Sequence, residues 1–527
     1  MALHDRLGCA ALEQLAASAL PAHTLMQRAG WAVAQLALAV SPHAEATEVL
    51  AGSGNNGGDG FEAALRLHAA GRRVRVWWLG TPARQPADAR ASRLAAAAAG
   101  VPCVPLDPTA PALWMEALQR APARTLVIDA AFGRGLSRSV DGALGAILAA
   151  LNRSRLPTLA VDLPSGLNGD TGAWADASAP VARARWTLAL LSPAPGLFTG
   201  DSRDAAGEVW WHDLGADPAG APACAHLERG ASVARVLGPR QHQQHKGSFG
   251  DVRIVGGAHQ MAGAAWLAAR AALQCGAGRV YVHGLDADSR SIDAGQPELM
   301  LGGPLRAESI ATCTVVAGCG GGAAIAAALP LLLQHAQRLL LDADALNAIA
   351  ANAELANALR LRHARGQVSV LTPHPLEAAR LLQCTTREVQ GDRLLAAQRI
   401  AERWGVVAVL KGSGSVIAAP GHTASINASG NAALATAGSG DVLAGCIGAL
   451  WGRHAGASTN SVAAASLDDH LQHAFEAAVA GVHLHGNCAE QASAHGEALP
   501  ASALAQALGD HLRRHHAAGA VGDSPGW

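Results

Sequence analysis

Short β-branched and aliphatic runs recur along this chain, each followed by an alanine-rich amphipathic stretch, and the series occurs twice. That alternation constrains the fold more than any other feature. A strand can reach a parallel neighbour only through a crossover, and a helix is the usual crossover. The first series has strand candidates at 47–52 (TEVLAG), 73–80, 125–130 (TLVIDA), 158–166 (TLAVDLPSG), 186–191 and 208–214. The second has them at 251–257, 278–284, 312–318, 338–344, 367–374 and 406–412. Between the two, 215–231 (GADPAGAPACAHLERGA) lacks periodicity and reads as a linker. The expectation is an α/β protein of two domains, 1–222 and 223–527, with no repeat relating them. The polar stretch 453–473 reads as a mobile surface insertion among the C-terminal helices.

Composition narrows the partners. Across 527 residues only 15% are charged, and the formal net charge is -1. Nothing in that balance calls for nucleic acid or an anionic membrane. No apolar run reaches transmembrane length and the first residues lack a signal layout, so cytoplasm is the expected location. The nine cysteines are scattered without a C-x-x-C pair, which points to reduced thiols and not to disulfides or zinc. Of 40 basic residues only Lys246 and Lys411 are lysine, and each opens a glycine-containing segment. A retained lysine in an arginine-using chain marks a place that needs a compact ammonium.

Three strand ends of the first series carry chemistry. Residues 51–60 (AGSGNNGGDG) contain the G-x-G-x-x-G spelling of a dinucleotide turn. The nicotinamide-cofactor reading fails a check, however. The second strand ends WWLGTPAR, without the acidic residue that takes the ribose hydroxyls, and Asp59 sits among the amides meant for phosphate. Asp129 and Asp162 end the next strands, with Ser165 three residues beyond the second. Acidic groups at strand ends need solvent, a partner or a cation, so two of them facing one crevice indicate a site.

In the second series, 430–445 (GNAALATAGSGDVLAG) joins a glycine turn to a helix start. Backbone amides at 438–440 would hold an anion there, and Asp441 would stand ready to take a proton from a hydroxyl attacking phosphorus. Lys411, on the preceding strand end, can face a phosphate.

The segments LMQRAG (25–30), GSGNNGGDG (52–60), DAAFGRGL (129–136) and VDLPSGLNGDTG (161–172) together resemble the epimerase domain of the NAD(P)H-hydrate repair family. The resemblance covers roughly residues 1–215. It implies a Rossmann-like, three-layer domain that interconverts the R and S forms of hydrated NADH and NADPH at carbon 6 of the nicotinamide ring. It further implies a potassium ion held by Asn56, Asp129 and Ser165, oxygen ligands suited to a hard cation. Substrate would meet Asn55, Asn56, Gly57, Gly58 and Asp59, then Gly133, Arg134, Gly135, Leu136, Ser137, Arg138 and Ser139, and finally Asp162. Asp129 or Asp162 would be the acid and base.

The rear half resembles the ribokinase-like fold and, more narrowly, the ADP-dependent NAD(P)H-hydrate dehydratases. The segments are KGSFGDVRIVGG (246–257), GAGRVYV (276–282), PELM (297–300), LDADALN (341–347), LTPHPLEAARLL (371–382), LKGSGSVI (410–417) and NAALATAGSGDVLAG (431–445). Carried over, Lys411, Gly412, Ser413, Gly414, Ser415 and Gly440 would bind the nucleotide, and Ala264, Gly320, His374 and Asp441 the substrate. ADP would phosphorylate the carbon 6 hydroxyl of the S hydrate with Asp441 as base, and phosphate would then leave. Mg²⁺ would neutralise nucleotide charge, with Asp342 and Asp344 as further candidates. Three spellings depart from the family: Leu376 for a glycine, GCGGG (318–322) for G-P-G-L-G, and HGNCAE (485–490) for H-G-x-A-G-D. The partners implied are NAD(P)H hydrates and ADP, and a homo-oligomer is expected. The rival readings are a ribokinase-fold small-molecule kinase with a ligand-binding front domain, and a front domain that only regulates.

Overall fold

The strand β1 (Ala46–Gly52) is buried along its whole length, as a strand covered on both faces must be. Its alternate residues serve two separate cores. Val49 and Ala51 join one apolar cluster, whereas Leu50 joins another on the opposite face. The computed structural model describes residues 1–136, 140, 142–174, 180–238, 240–286, 293–457 and 466–521. Its contacts divide the chain into two compact units, Ala2–His226 and Leu227–Trp527, with Met1 counted in the second.

In the front unit, β1 is followed by β2 (Val74–Leu79), β3 (Cys103–Pro105), β4 (Thr125–Ala130), β5 (Thr158–Val161), β6 (Trp186–Leu190) and β7 (Glu208–His212). They form an all-parallel sheet of order β3-β2-β1-β4-β5-β6-β7. The order reverses between β1 and β4, and a crevice opens at such a switch point. Helices α1 (Arg6–Ser18), α2 (Thr24–Val40) and α3 (Asn55–Ala69) precede or follow β1. Helix α3 begins directly after the β1 end. Trp114, Ile147 and Leu148 cover the other face, which makes three layers.

The rear unit holds β8 (Asp251–Gly256), β9 (Arg279–Gly284), β10 (Met300–Leu301), β11 (Thr314–Ala317), β12 (Arg338–Leu341), β13 (Val368–Leu371) and β14 (Val407–Leu410). These seven are mutually parallel in the order β14-β13-β12-β11-β8-β9-β10. The order again reverses, here between β11 and β8. Two antiparallel strands, β15 (Val416–Ala418) and β16 (Ala424–Asn427), extend the β14 edge, and the alternating pattern did not anticipate them. Helices α4 (Ala262–Gln274), α5 (Pro375–Leu382), α6 (Arg393–Trp404), α7 (Ser439–Ala457) and α8 (Leu467–Ala492) matter below. Much of the 453–473 stretch, expected as a surface insertion, is helical. Its start completes α7, and Ser466 opens α8 through a capping box with Asp469. Residues 458–465 lie outside the described residues. No helix among the described residues is long and apolar enough to cross a membrane.

Candidate functional site

The front crevice is a cavity of about 730 Å³. Asn55, Asn56 and Asp59 of the first turns of α3 line it, as do Gly133, Arg134, Gly135 and Leu136 beyond β4, and Asp162 beyond β5. Ser137, Arg138 and Ser139 lie outside the described residues. Gly57 and Gly58 are buried in the same turn as Asn56. The β1 and β4 ends approach closely: a Cβ at Gly52 would stand 2.0 Å from the Ala131 carbonyl oxygen, so only glycine fits there. Sequence reasoning missed the opposite wall, where α1 and the start of α2 contribute Cys9, Glu13, His23 and Met26.

The two strand-end aspartates have different surroundings. Asp129 is fully buried and does not border the cavity. Its carboxylate accepts from the Ser165 hydroxyl at 2.6 Å and the Ser165 amide at 2.8 Å. Burial raises its pKa, and the Ser165 hydrogen bonds oppose the rise. Asp162 has a left-handed backbone (φ 63) and borders the cavity. Arg134 Nε reaches both Asp162 carboxylate oxygens, at 3.2 and 3.3 Å. The same guanidinium donates to the His4 and Ser192 carbonyls, so its position is fixed from two sides. Arg134 therefore holds Asp162 in place, which the sequence reading did not assign to it.

Asn56 is the anomaly. Its amide oxygen and nitrogen are both buried, and neither has a hydrogen-bond partner among the described residues. An orphaned amide of this kind costs about 1–3 kcal/mol unless something fills the gap. Asn56 lies against Gly133, where a Cβ would come within 3.3 Å of the amide oxygen. An amide oxygen with a free lone pair, together with the Asp129 and Ser165 oxygens, fits a hard cation.

In the rear unit the predicted residues converge beyond β11–β14. Asp342 follows β12 and is buried, and its Oδ1 accepts from Lys411 Nζ at 2.6 Å and from Thr372 Oγ1 at 2.7 Å. Burial works against the Lys411 ammonium, but the Asp342 and Glu377 carboxylates outweigh it and raise its pKa. Asp441 sits in the first turn of α7, and ligand atoms of Asp441, Asp342 and Cys319 lie within 4.8 Å of one another. Burial and the Asp342 charge push the Asp441 carboxyl up to about 7, against lowering by a Cys319 hydrogen bond and Lys411. The buried Cys319 thiol is pushed well above its ordinary value by burial and the two aspartates, so it stays protonated.

Gly440 lies next to Lys411: a Cβ there would be 3.4 Å from Nζ. The Ser439 amide, expected to face an anion, is instead directed at the Thr436 carbonyl at 3.4 Å. Gly320 has φ +56 and packs on Ala264, where a Cβ would meet the methyl at 2.8 Å, so these two predicted residues do meet. His374 caps α5 by accepting from the Leu376 and Glu377 amides. Burial and Lys411 depress its pKa. Leu376 is thus accommodated as an ordinary first-turn helix residue. Asp344 accepts from the Gly322 amide and shapes the glycine loop beyond β11. Gly412 (φ +135) and Ser413 are exposed, Gly414 is buried, and Ser415 donates to the Gly412 carbonyl.

Arg393 was not foreseen. It is buried and donates to the Leu410 and Lys411 carbonyls, fixing the loop that carries the lysine. Lys246, by contrast, is exposed on a single 3-10 turn, so the rare-lysine signal marks one position of the two. Two carboxylates and a thiol make no cage for Mg²⁺, which prefers six oxygens and keeps several waters. They suit an ion that arrives with nucleotide phosphates, as the second ligand set.

A cavity at the front switch point and a cluster of Asp342, Lys411, Asp441 and Cys319 beyond the rear parallel strands define a two-site α/β enzyme. The family model described as NAD(P)H-hydrate dehydratase matches residues 252–513, and the YjeF-related protein N-terminus model matches residues 22–196. The bifunctional NAD(P)H-hydrate repair enzyme Nnr of Escherichia coli (strain K12) is 36% identical over 442 residues, covering 82% of this chain and 81% of its own. That of Coxiella burnetii is 31% identical over 513 residues, covering 95% and 96%. A solved ADP/ATP-dependent NAD(P)H-hydrate dehydratase from Bacillus subtilis, co-crystallized with ATP/Mg²⁺, is 26% identical with a TM-score of 0.44 and covers 55% of this chain and 98% of its own. This chain belongs to the family of bifunctional NAD(P)H-hydrate repair enzymes.

Proposed function

We propose that this protein returns hydrated NADH and NADPH to their active forms by two reactions in two domains, 1–222 and 223–527. The front domain interconverts the R and S hydrates at carbon 6. The rear domain consumes the S form with ADP. Water is a poor leaving group and phosphate a good one, so phosphorylating the carbon 6 hydroxyl prepares its elimination, driven by the ring nitrogen lone pair.

The observation that carries this reading is the Asp441 carboxyl, poised near neutrality beside Gly440, Lys411 and Asp342. A base with that affinity can accept the hydroxyl proton as the phosphoryl group arrives. Lys411 to Ser415 and Gly440 would hold the nucleotide, and Ala264, Gly320 and His374 the hydrate. Lys411 would exchange part of its pairing with Asp342 for a phosphate oxygen. Mg²⁺, when bound, supplies charge neutralisation on the nucleotide.

In the front domain Asn56, Asp129 and Ser165 would hold potassium, whose charge would balance the buried Asp129. Of the two strand-end carboxylates, Asp162 would be the one to meet the substrate, a reading supported by its position on the cavity wall. A cytoplasmic location and a homo-oligomer belong to the same proposal, and light scattering on the purified chain tests the second. The function itself is tested by mixing the protein with both NADPH hydrates, ADP and Mg²⁺ and following the absorbance of restored NADPH. Full recovery is expected. No recovery, together with phosphorylation of a free alcohol, would make the chain a small-molecule kinase instead.

A further inference from the structure

Asp59, Glu62, Asp129 and Asp162 are carboxylates buried, or nearly so, in or behind the cavity wall, and three of these four are spoken for. Asp129 is held by Ser165, Asp162 by Arg134, and Glu62 by Arg66 at 2.9 Å. Asp59 is left over. It is 9% exposed and lines the cavity, and no hydrogen bond or ion pair satisfies it among the described residues. A buried carboxyl without a donor favours its neutral, protonated form. The groups that face it argue the same way. Asp162 and Glu62 bring negative charge from β5 and from its own helix, Glu13 brings more from α1, and Arg134 is already committed to Asp162. Burial first, and these charges after it, hold the Asp59 pKa well above the ordinary carboxylate range.

We propose that Asp59 is the acid that protonates the departing carbon 6 hydroxyl during epimerisation, an inference that rests on the function proposed above. The carboxylic acid gives its proton to the hydroxyl oxygen. The C6–O bond breaks with its electron pair going to oxygen, and water leaves. The ring nitrogen lone pair forms the N1=C6 bond and leaves carbon 6 planar. Water then adds to the other face, and the N1=C6 pair returns to nitrogen. The proton lost by that water restores the Asp59 acid, so no oxidant, reductant or further reagent is required. Asp162, by contrast, has both carboxylate oxygens engaged by the Arg134 guanidinium.

The test compares wild type with Asp59→Asn and Asp59→Glu, following R and S NADPH hydrate by chromatography without ADP and subtracting the spontaneous rate. NADPH serves as the binding probe. Asp59→Asn is expected to slow interconversion by roughly 10²–10⁴-fold while NADPH affinity stays within about twofold. Asp59→Glu, which keeps an acid, should recover part of the rate. Wild-type speed in Asp59→Asn would overturn the inference and leave the epimerase reading standing. So would equal loss of rate and NADPH binding in a variant that melts like wild type. An inactive wild type would instead remove the epimerase reading itself.

Discussion

Both sites lie beyond the carboxyl ends of parallel strands, yet they treat their polar groups in opposite ways. The rear site is closed on itself. Lys411 neutralises Asp342, Cys319 shares hydrogen with Asp441, and Arg393 fastens the loop from behind. The front site keeps the buried Asn56 amide unsatisfied and leaves Asp59 facing an open cavity. The difference teaches what each site waits for. A self-compensated cluster must be opened by a ligand with charge of its own, and a nucleotide phosphate has it. An orphaned amide and an unpaired acid need a cation and a neutral, hydroxyl-bearing ring.

The largest expected effect separates the two sites outright. Asp441→Asn should lower dehydration by at least ~10²–10⁴-fold while leaving R and S interconversion unchanged. Loss of both activities in a folded variant would end the comparison.

The second effect is in pH. A general base must be ionised, and burial places the Asp441 pKa at about 7. Dehydration kcat/KM should therefore rise roughly tenfold per unit as pH climbs toward that value and level off above it. A profile that falls across the same range would make Asp441 an acid.

Nucleotide use gives the third. Truncating Lys411 would strand buried Asp342 at a cost of about 3–5 kcal/mol and confuse folding with function. Lys411→Arg keeps the charge but replaces a point ammonium by a fork beside Gly440, and KM for ADP should rise roughly tenfold. An unchanged KM would remove Lys411 from the nucleotide site. The smallest effect concerns the front cation. Asn56→Ala should abolish any gain in epimerase rate on replacing sodium by potassium. Its Tm in sodium should not fall below wild type, since the amide removed makes no hydrogen bond. A retained potassium response would move the cation elsewhere.

The α/β class was legible because strands buried on both faces read as unbroken apolar runs, as in Thr125–Ala130. Asp129 and Asp162 were legible for the converse reason, an acid where an apolar run stops, and Asp441 because it follows a glycine turn at a helix start. The arginines were less so. Arg134 was marked as a substrate contact but not as the partner of Asp162, and with arginine in nearly every basic position nothing marks Arg393, whose carbonyl partners only the folded chain assembles. The α1–α2 wall was hidden as well, because Glu13 and His23 sit in ordinary amphipathic and turn sequence. Asp59 was visible within its loop, but its isolation depends on which neighbours Arg134, Ser165 and Arg66 have already taken.

The most direct measurement is a crystal of the protein soaked with ADP. The account predicts nucleotide phosphate within hydrogen-bond distance of the Gly440 amide and Lys411 Nζ, with Asp441 facing the transferable group. Nucleotide bound away from the start of Ser439–Ala457, with Lys411 still paired to Asp342, would contradict it.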